Sequence, residues 1–203
     1  MNHLLTLDQL ANRYFIMRHG QSLANLQQVI VSHPQNGVDA YGLSEQGVTQ
    51  VRESVQSSSR LDSKLLIVSS DFKRARESAQ IAGELLGSSN PLQFDERLRE
   101  RNFGEWELTP DSAYPLIWAG DEINPDNDEK GVESPNQVMA RVTALVCEYE
   151  EKISGVTMLL ISHGDALQIL QTAFSKQCAS EHRRQQHLET AEIRALSLSK
   201  NIC

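Results

Sequence analysis

Two His-Gly dipeptides, His19-Gly20 and His163-Gly164, each follow a short apolar run. Tyr14-Phe15-Ile16-Met17 leads into Arg18-His19, and Met158-Leu159-Leu160-Ile161 leads into Ser162-His163. A neutral imidazole is a nucleophile and a proton carrier near pH 7. Arg18, beside the first histidine, adds a planar guanidinium fork that matches oxyanions. The chemistry this combination points to is phosphoryl transfer through histidine. A lone His-Gly is more often a simple turn, so the intervening residues decide the matter.

Leu65-Leu66-Ile67-Val68 is a third apolar run, followed by Ser69-Ser70-Asp71-Phe72-Lys73-Arg74-Ala75-Arg76. Asp71 is the expected N-cap of a helix, which puts Arg74 at its third position. A basic residue in a first turn opposes the helix dipole. A bound anion would remove that conflict, which favours a functional Arg74 over a solvated one. Further on, Glu96, Arg97, Arg99, Glu100 and Arg101 form a mixed charge run, a pattern that by itself describes a solvated surface.

Arg18-His19-Gly20-Gln21-Ser22-Leu23-Ala24-Asn25 resembles the opening motif of the histidine phosphatase superfamily, the group that includes the cofactor-dependent phosphoglycerate mutases. Ser70 to Ala79 looks like its second-arginine motif, which implies a phosphate ligand at Arg74. Leu98 to Glu107 is similar to the segment that carries the proton donor, at Glu100. Ser162-His163-Gly164 matches the second histidine. The four motifs stand in the family's order over residues 14 to 165. Two departures stand out: Leu108 occupies a position where many members have glycine, and Asp165 one where small residues are common.

The resemblance implies phosphoryl transfer through histidine without a cofactor, and the short, acidic span between Glu100 and His163 favours a metal-independent phosphomonoester hydrolase over a mutase. His19 attacks phosphorus and becomes phosphohistidine, and Glu100 protonates the leaving alkoxide. Arg18, Arg74, Asn25, His163 and Gly164 bind the phosphoryl oxygens, with His163 as a donor to them. Two neighbouring guanidinium charges favour a neutral His19. Glu105 and Glu107 are the alternates for the acid. Mutase-type transfer and a non-catalytic phospholigand-binding protein are the competing readings. The implied partner is a small phosphorylated molecule, with a phosphoprotein as an open alternative.

These residues need an α/β scaffold, because chemistry in open parallel sheets collects beyond the strands' carboxyl ends. The expected fold is one domain over residues 1–203: a three-layer sandwich of a mostly parallel sheet with helices on both faces. Ser44 is expected to cap a helix to about Ser57. A second helix should run from Phe72 to Leu86 and stop at Gly87. Ser134-Pro135-Asn136-Gln137 is a capping box that opens a long helix through Ile153. Strands are expected at 91–94, 158–162 and 193–198. Residues 108–133, rich in proline, glycine and acids (Asp121, Glu122, Asp126, Asp128, Glu129), read as an irregular lid that disfavours highly anionic substrates. The stretch around His182, Arg183, Arg184 and His187 reads as a solvated loop.

A net charge of -8 argues against a nucleic-acid binder. No apolar stretch approaches the roughly 20 residues of a membrane span. Three widely spaced cysteines, Cys147, Cys178 and Cys203, form no zinc pattern and suggest free thiols in the cytoplasm. No heptad or apolar stripe speaks to an oligomer.

Overall fold

The computed structural model describes residues 1–200, so Cys203 lies outside the described residues. Five strands form one sheet in the order β3-β2-β4-β1-β5. They are β1 (Arg13–Arg18), β2 (Leu66–Ser69), β3 (Gln93–Phe94), β4 (Thr157–Ser162) and β5 (Ile193–Leu196). The first four run parallel, and β5 pairs antiparallel with β1. β4 sits at the centre and is buried along its whole length, as its unbroken apolar run requires.

The seven helices are α1 (Leu23–Gln27), α2 (Pro34–Gly37), α3 (Glu45–Ser57), α4 (Lys73–Leu86), α5 (Tyr114–Ile123), α6 (Pro135–Lys152) and α7 (Gly164–Phe174). Strand alternation divides the core into two layers. Tyr14, Ile16, Val68, Met158 and Leu160 face α6 and α7 and pack with Val138, Val142, Leu145, Leu167 and Leu170. Phe15, Met17, Ile67, Leu159 and Ile161 face α3 and α4 and pack with Val51, Val55, Ala75 and Ala79. Each large aliphatic side chain removed from water contributes about 1.5–3 kcal/mol. A close backbone approach ties α3 to the segment after β1: a Cβ on Gly47 would stand 2.0 Å from Gln21 O, and one on Gly20 would stand 2.4 Å from Gly47 O.

The expected caps form at Ser44, whose Oγ accepts from Gly47 N, and at Ser134, which completes its box with Gln137. Gly87 ends α4 in the left-handed conformation. Three expectations need correction. The cap of α4 is Phe72, with no side-chain hydrogen bond, so Arg74 is the second helical residue. Asp71 instead binds Arg99 through both oxygens, at 2.8 and 2.6 Å. Residues 108–133 are not irregular throughout, because α5 begins with Pro115 in its first turn, where no donor is lost. A small cluster of Ile30, Phe103, Ile117 and Val132 anchors that segment.

The third correction concerns 182–187. His182 is fully buried, and Arg183 lies flat on Trp118 with its Cζ 3.5 Å from the ring centroid. Both sit in the 3-10 turn Ala179–Arg184 that follows α7. Among the described residues no helix is long and apolar enough to cross a membrane. Cys147 and Cys178 are free thiols.

Candidate active site

Strand register brings the two histidines together. Arg18 stands opposite Ser162 in the β1–β4 pair, so His19 and His163 leave the sheet side by side. Their ring centroids are 5.0 Å apart, edge to face. β2 puts Ser69 opposite Ile161, and the next residue, Ser70, meets His163 with 2.9 Å between Oγ and Nε2.

His19 Nδ1–H donates to Gly20 O at 2.7 Å, which leaves the Nε2 lone pair facing the pocket. That lone pair accepts from Arg74 Nε at 3.0 Å. Burial, then the charges of Arg74 and Arg18, hold His19 well below the ordinary histidine range, so it stays neutral. The same Arg74 Nε reaches His163 Nδ1 at 3.2 Å. Burial and then Arg74 push His163 down as well. Its pocket-side nitrogen therefore accepts a hydrogen bond here, rather than donating one.

Both arginines hold donors in reserve. Arg74 Nη2 donates to Val31 O at 2.9 Å, whereas the buried Nη1 has no protein partner. Arg18 Nη1 donates to Leu188 O at 3.0 Å and to His187 Nε2 at 2.8 Å, while its buried Nε has none. Burial, without a counter-charge to match it, pushes Arg74 down to about 10. Buried donors are nearly always satisfied, and an unmade bond costs about 1–3 kcal/mol. Two orphaned guanidinium donors lining one cavity describe a place for an anion.

Glu100 lines the same cavity. Its Oε1 accepts from the N–H groups of Arg101 (2.9 Å) and Ala166 (3.2 Å). A Cβ on Gly164 would lie 3.8 Å from both Arg18 Cζ and Glu100 Oε2, which places that second oxygen beside the clamp. Burial, then the neighbouring Asp165, raise the Glu100 carboxyl above its ordinary value. Gly164 opens α7, whose N-terminus has no side-chain cap, so its positive end faces the cavity. Asn25 also lines it; its Oδ1 accepts from Ser22 N at 2.9 Å, leaving the amide N–H₂ as its donor to the pocket.

Six of the seven expected residues line one cavity, and the seventh, His163, stands behind its wall, hydrogen-bonded to Arg74. The alternates do not. Glu105 is exposed, and Glu107 is held by Ser32 N, Ser32 Oγ and Asn36. Asp111, Tyr114, Trp118 and His187 line the cavity and were not expected there. The acidic and aromatic content of 108–133 was visible in sequence, but its inward face depends on the α5 helix phase.

This α/β sandwich, with paired histidines and two arginines at the strand ends, is the architecture of a phosphoryl-transfer enzyme family. The chain belongs to the histidine phosphatase superfamily (branch 1), whose pattern matches residues 14–202. The probable phosphoglycerate mutase GpmB of Salmonella choleraesuis is 31% identical over 161 residues, which cover 75% of this chain and 70% of the relative. The solved mycobacterial hydrolase 1 superposes with a TM-score of 0.76 at 28% identity, covering 91% of this chain and 88% of that one. Mycobacterial glucosyl-3-phosphoglycerate phosphatase in complex with VO3 gives a TM-score of 0.77 at 26% identity, with 91% and 92% covered.

Proposed function

We propose that this protein hydrolyses phosphomonoesters through a phosphohistidine on His19, with Glu100 as the proton donor and no metal. The observation that carries the reading is the orphaned pair, Arg18 Nε and Arg74 Nη1, beside a neutral His19 whose Nε2 lone pair faces the cavity. A phosphoryl oxygen satisfies both donors and competes for Arg74 Nε, and this frees the lone pair to attack in line. The phosphorus–ester oxygen bond breaks as the Nε2–phosphorus bond forms, and Glu100 gives its proton to the departing alkoxide. Water then attacks phosphorus, Glu100 takes a proton from it, and His19 and inorganic phosphate are released.

The Nδ1–H bond to Gly20 O steadies the positive ring that phosphorylation creates. His163 Nδ1 accepts from Arg74 Nε at 3.2 Å. A dianion raises its basicity, and a proton gained at Nδ1 turns it into a phosphoryl donor. Residues 108–133 act as the lid of this site, supported by α5 residues on the cavity wall. Free thiols fit a cytoplasmic setting. Mutase-type transfer is the second reading, favoured by the Salmonella relative's name.

The test is p-nitrophenyl phosphate turnover in EDTA, combined with quenched-flow trapping of an acid-labile, base-stable phosphoenzyme. Wild type is expected to turn over and to be labelled. His19→Ala should lose the label and at least about a thousandfold in rate, on the scale of losing a nucleophile. A label that persists in His19→Ala would overturn the mechanism.

A further inference from the structure

The cavity holds about 230 Å³. A phosphoryl group between the two arginines takes part of that volume, and the leaving group takes the rest. Beyond the arginines and Glu100, the cavity is lined by Ala24, Val29, Val31, Asp111 and Tyr114. Three backbone bonds hold this wall together: Leu108 N to Ile30 O, Ile30 N to Thr109 O, and Asp111 N to Gln28 O, at 2.8, 2.9 and 2.8 Å. Phe103, edge-on, and Trp118, stacked at 5.2 Å, fix the Tyr114 ring.

The polar groups at this end differ from the rest. Asp165 is engaged by Trp118 Nε1 at 2.9 Å and by Arg101 and Arg183 at 3.5 Å. Glu100 accepts two backbone N–H groups. By contrast, the Asp111 carboxylate and the Tyr114 hydroxyl have no hydrogen bond or ion pair among the described residues. No basic side chain among the described residues forms an ion pair with Asp111, while Tyr114 lies within the field of Arg74 and Arg18. Arg18 and Arg74 sit at the phosphoryl end, and Lys130, the one basic residue of 108–133, lies over the Trp106 ring at 4.2 Å. Of the acids in 108–133, Asp121 is buried against Arg101 and Asp126 accepts from Asn136, so Asp111 is the one that lines the cavity.

We infer that Asp111 and Tyr114 read the leaving group, selecting compact alcohols that carry hydroxyl or ammonium donors and rejecting those that carry a second anionic group. The inference rests on the phosphomonoesterase reading of the same site. A hydroxyl or ammonium satisfies the free carboxylate. A carboxylate or second phosphate meets the like charge of Asp111, which no ion pair neutralises, while Arg18 and Arg74 are engaged by the phosphoryl group.

Glycerol 3-phosphate and 3-phosphoglycerate share a carbon skeleton and differ in a hydroxymethyl against a carboxylate, so their kcat/KM ratio is the readout. Wild type is expected to prefer glycerol 3-phosphate by about tenfold or more. Asp111→Asn should shrink the ratio about tenfold, and Asp111→Lys should invert it. Tyr114→Phe should raise KM for glycerol 3-phosphate more than it lowers kcat. Equal use of both esters by wild type, or a ratio unmoved in Asp111→Asn, would overturn the inference while phosphohistidine still forms. Absence of phosphohistidine with every ester would instead overturn the reading on which it rests.

Discussion

Two arginines are buried within this molecule, and their surroundings are opposite. Arg101, 0% exposed, gives both Nη atoms to Asp121 at 2.5 and 2.7 Å and its Nε to Glu133 O at 2.6 Å. Burial pushes its basicity down, but the Asp121 bonds and the Asp165 charge outweigh that, and the net shift is upward. Arg74, 4% exposed, has two histidine nitrogens and one carbonyl as acceptors and keeps its Nη1 unpartnered. No carboxylate pairs with it, and its net shift is downward. Similar burial with opposite shifts separates a charge paired within the fold from one left without a counter-charge, which is the one the proposed mechanism assigns to phosphate.

The sharpest way to break this contrast is to remove each charge while keeping volume. Arg101→Met leaves Asp121 buried and unpaired, and breaking such a pair costs about 3–5 kcal/mol. In a chain of this size that lowers Tm by roughly 10 °C or more. Arg74→Met relieves an uncompensated buried charge and loses three hydrogen bonds. These offset, so stability should stay within about 1 kcal/mol of wild type. Turnover in Arg74→Met should fall by about a hundredfold or more, as for an oxyanion donor. Equal melting losses in the two variants would erase the distinction.

Ligand linkage sharpens the same contrast at a smaller scale. Inorganic phosphate at about 100 times its Kd adds about 2.7 kcal/mol of stability, a Tm rise of roughly 5–10 °C. The rise should persist in Arg101→Met and vanish in Arg74→Met. Differential scanning fluorimetry reads both, and a rise retained in Arg74→Met would place the anion elsewhere.

The two regions touch through Asp165, which contacts Arg101 and raises the Glu100 carboxyl. In the proposed mechanism Glu100 must hold its proton to release an alkoxide, so alkyl-ester turnover should fall as pH rises through its elevated value. Asp165→Asn removes the charge, lowers that value toward the ordinary one of 4.5, and moves the alkaline limb to lower pH. His19, held low, stays neutral below 6.5, so the acid limb should not move. A pH–kcat profile for glycerol 3-phosphate tests both statements, and an unmoved alkaline limb would detach Asp165 from the acid.

Much of the phosphoryl end was legible because it is local. An apolar run followed by His-Gly is a strand and its exit, and the parallel register does the rest. Ser134 and Gly87 likewise signal their caps within four residues. The outer end was not legible because its pairings are distant. Asp121 finds Arg101 twenty residues away, Asp71 leaves its cap position for Arg99, and His182 is buried by packing from the far end of the chain. No window of sequence displays those partners, so acids that are neutralised in the fold looked free. Asp111, which forms no ion pair, was not among the acids that the sequence singled out.

The smallest expected effect lies next to that residue. Leu108 adopts a left-handed backbone, φ 61°, where the family resemblance leads one to expect glycine, and its side chain is 48% exposed. The conformation survives because the Ile30 and Gln28 bonds pin the strand-like stretch on either side. A non-glycine residue there costs about 1–2 kcal/mol, while glycine gives back about 0.4–1 kcal/mol through the freer unfolded chain. Leu108→Gly should therefore gain about 0.5–1 kcal/mol, a Tm rise of roughly 1–4 °C. Because the strain sits in the wall that carries Asp111, relaxing it should also loosen the leaving-group end and lower the preference for glycerol 3-phosphate over 3-phosphoglycerate. A Tm that falls would show that the leucine side chain contributes packing that outweighs its backbone strain.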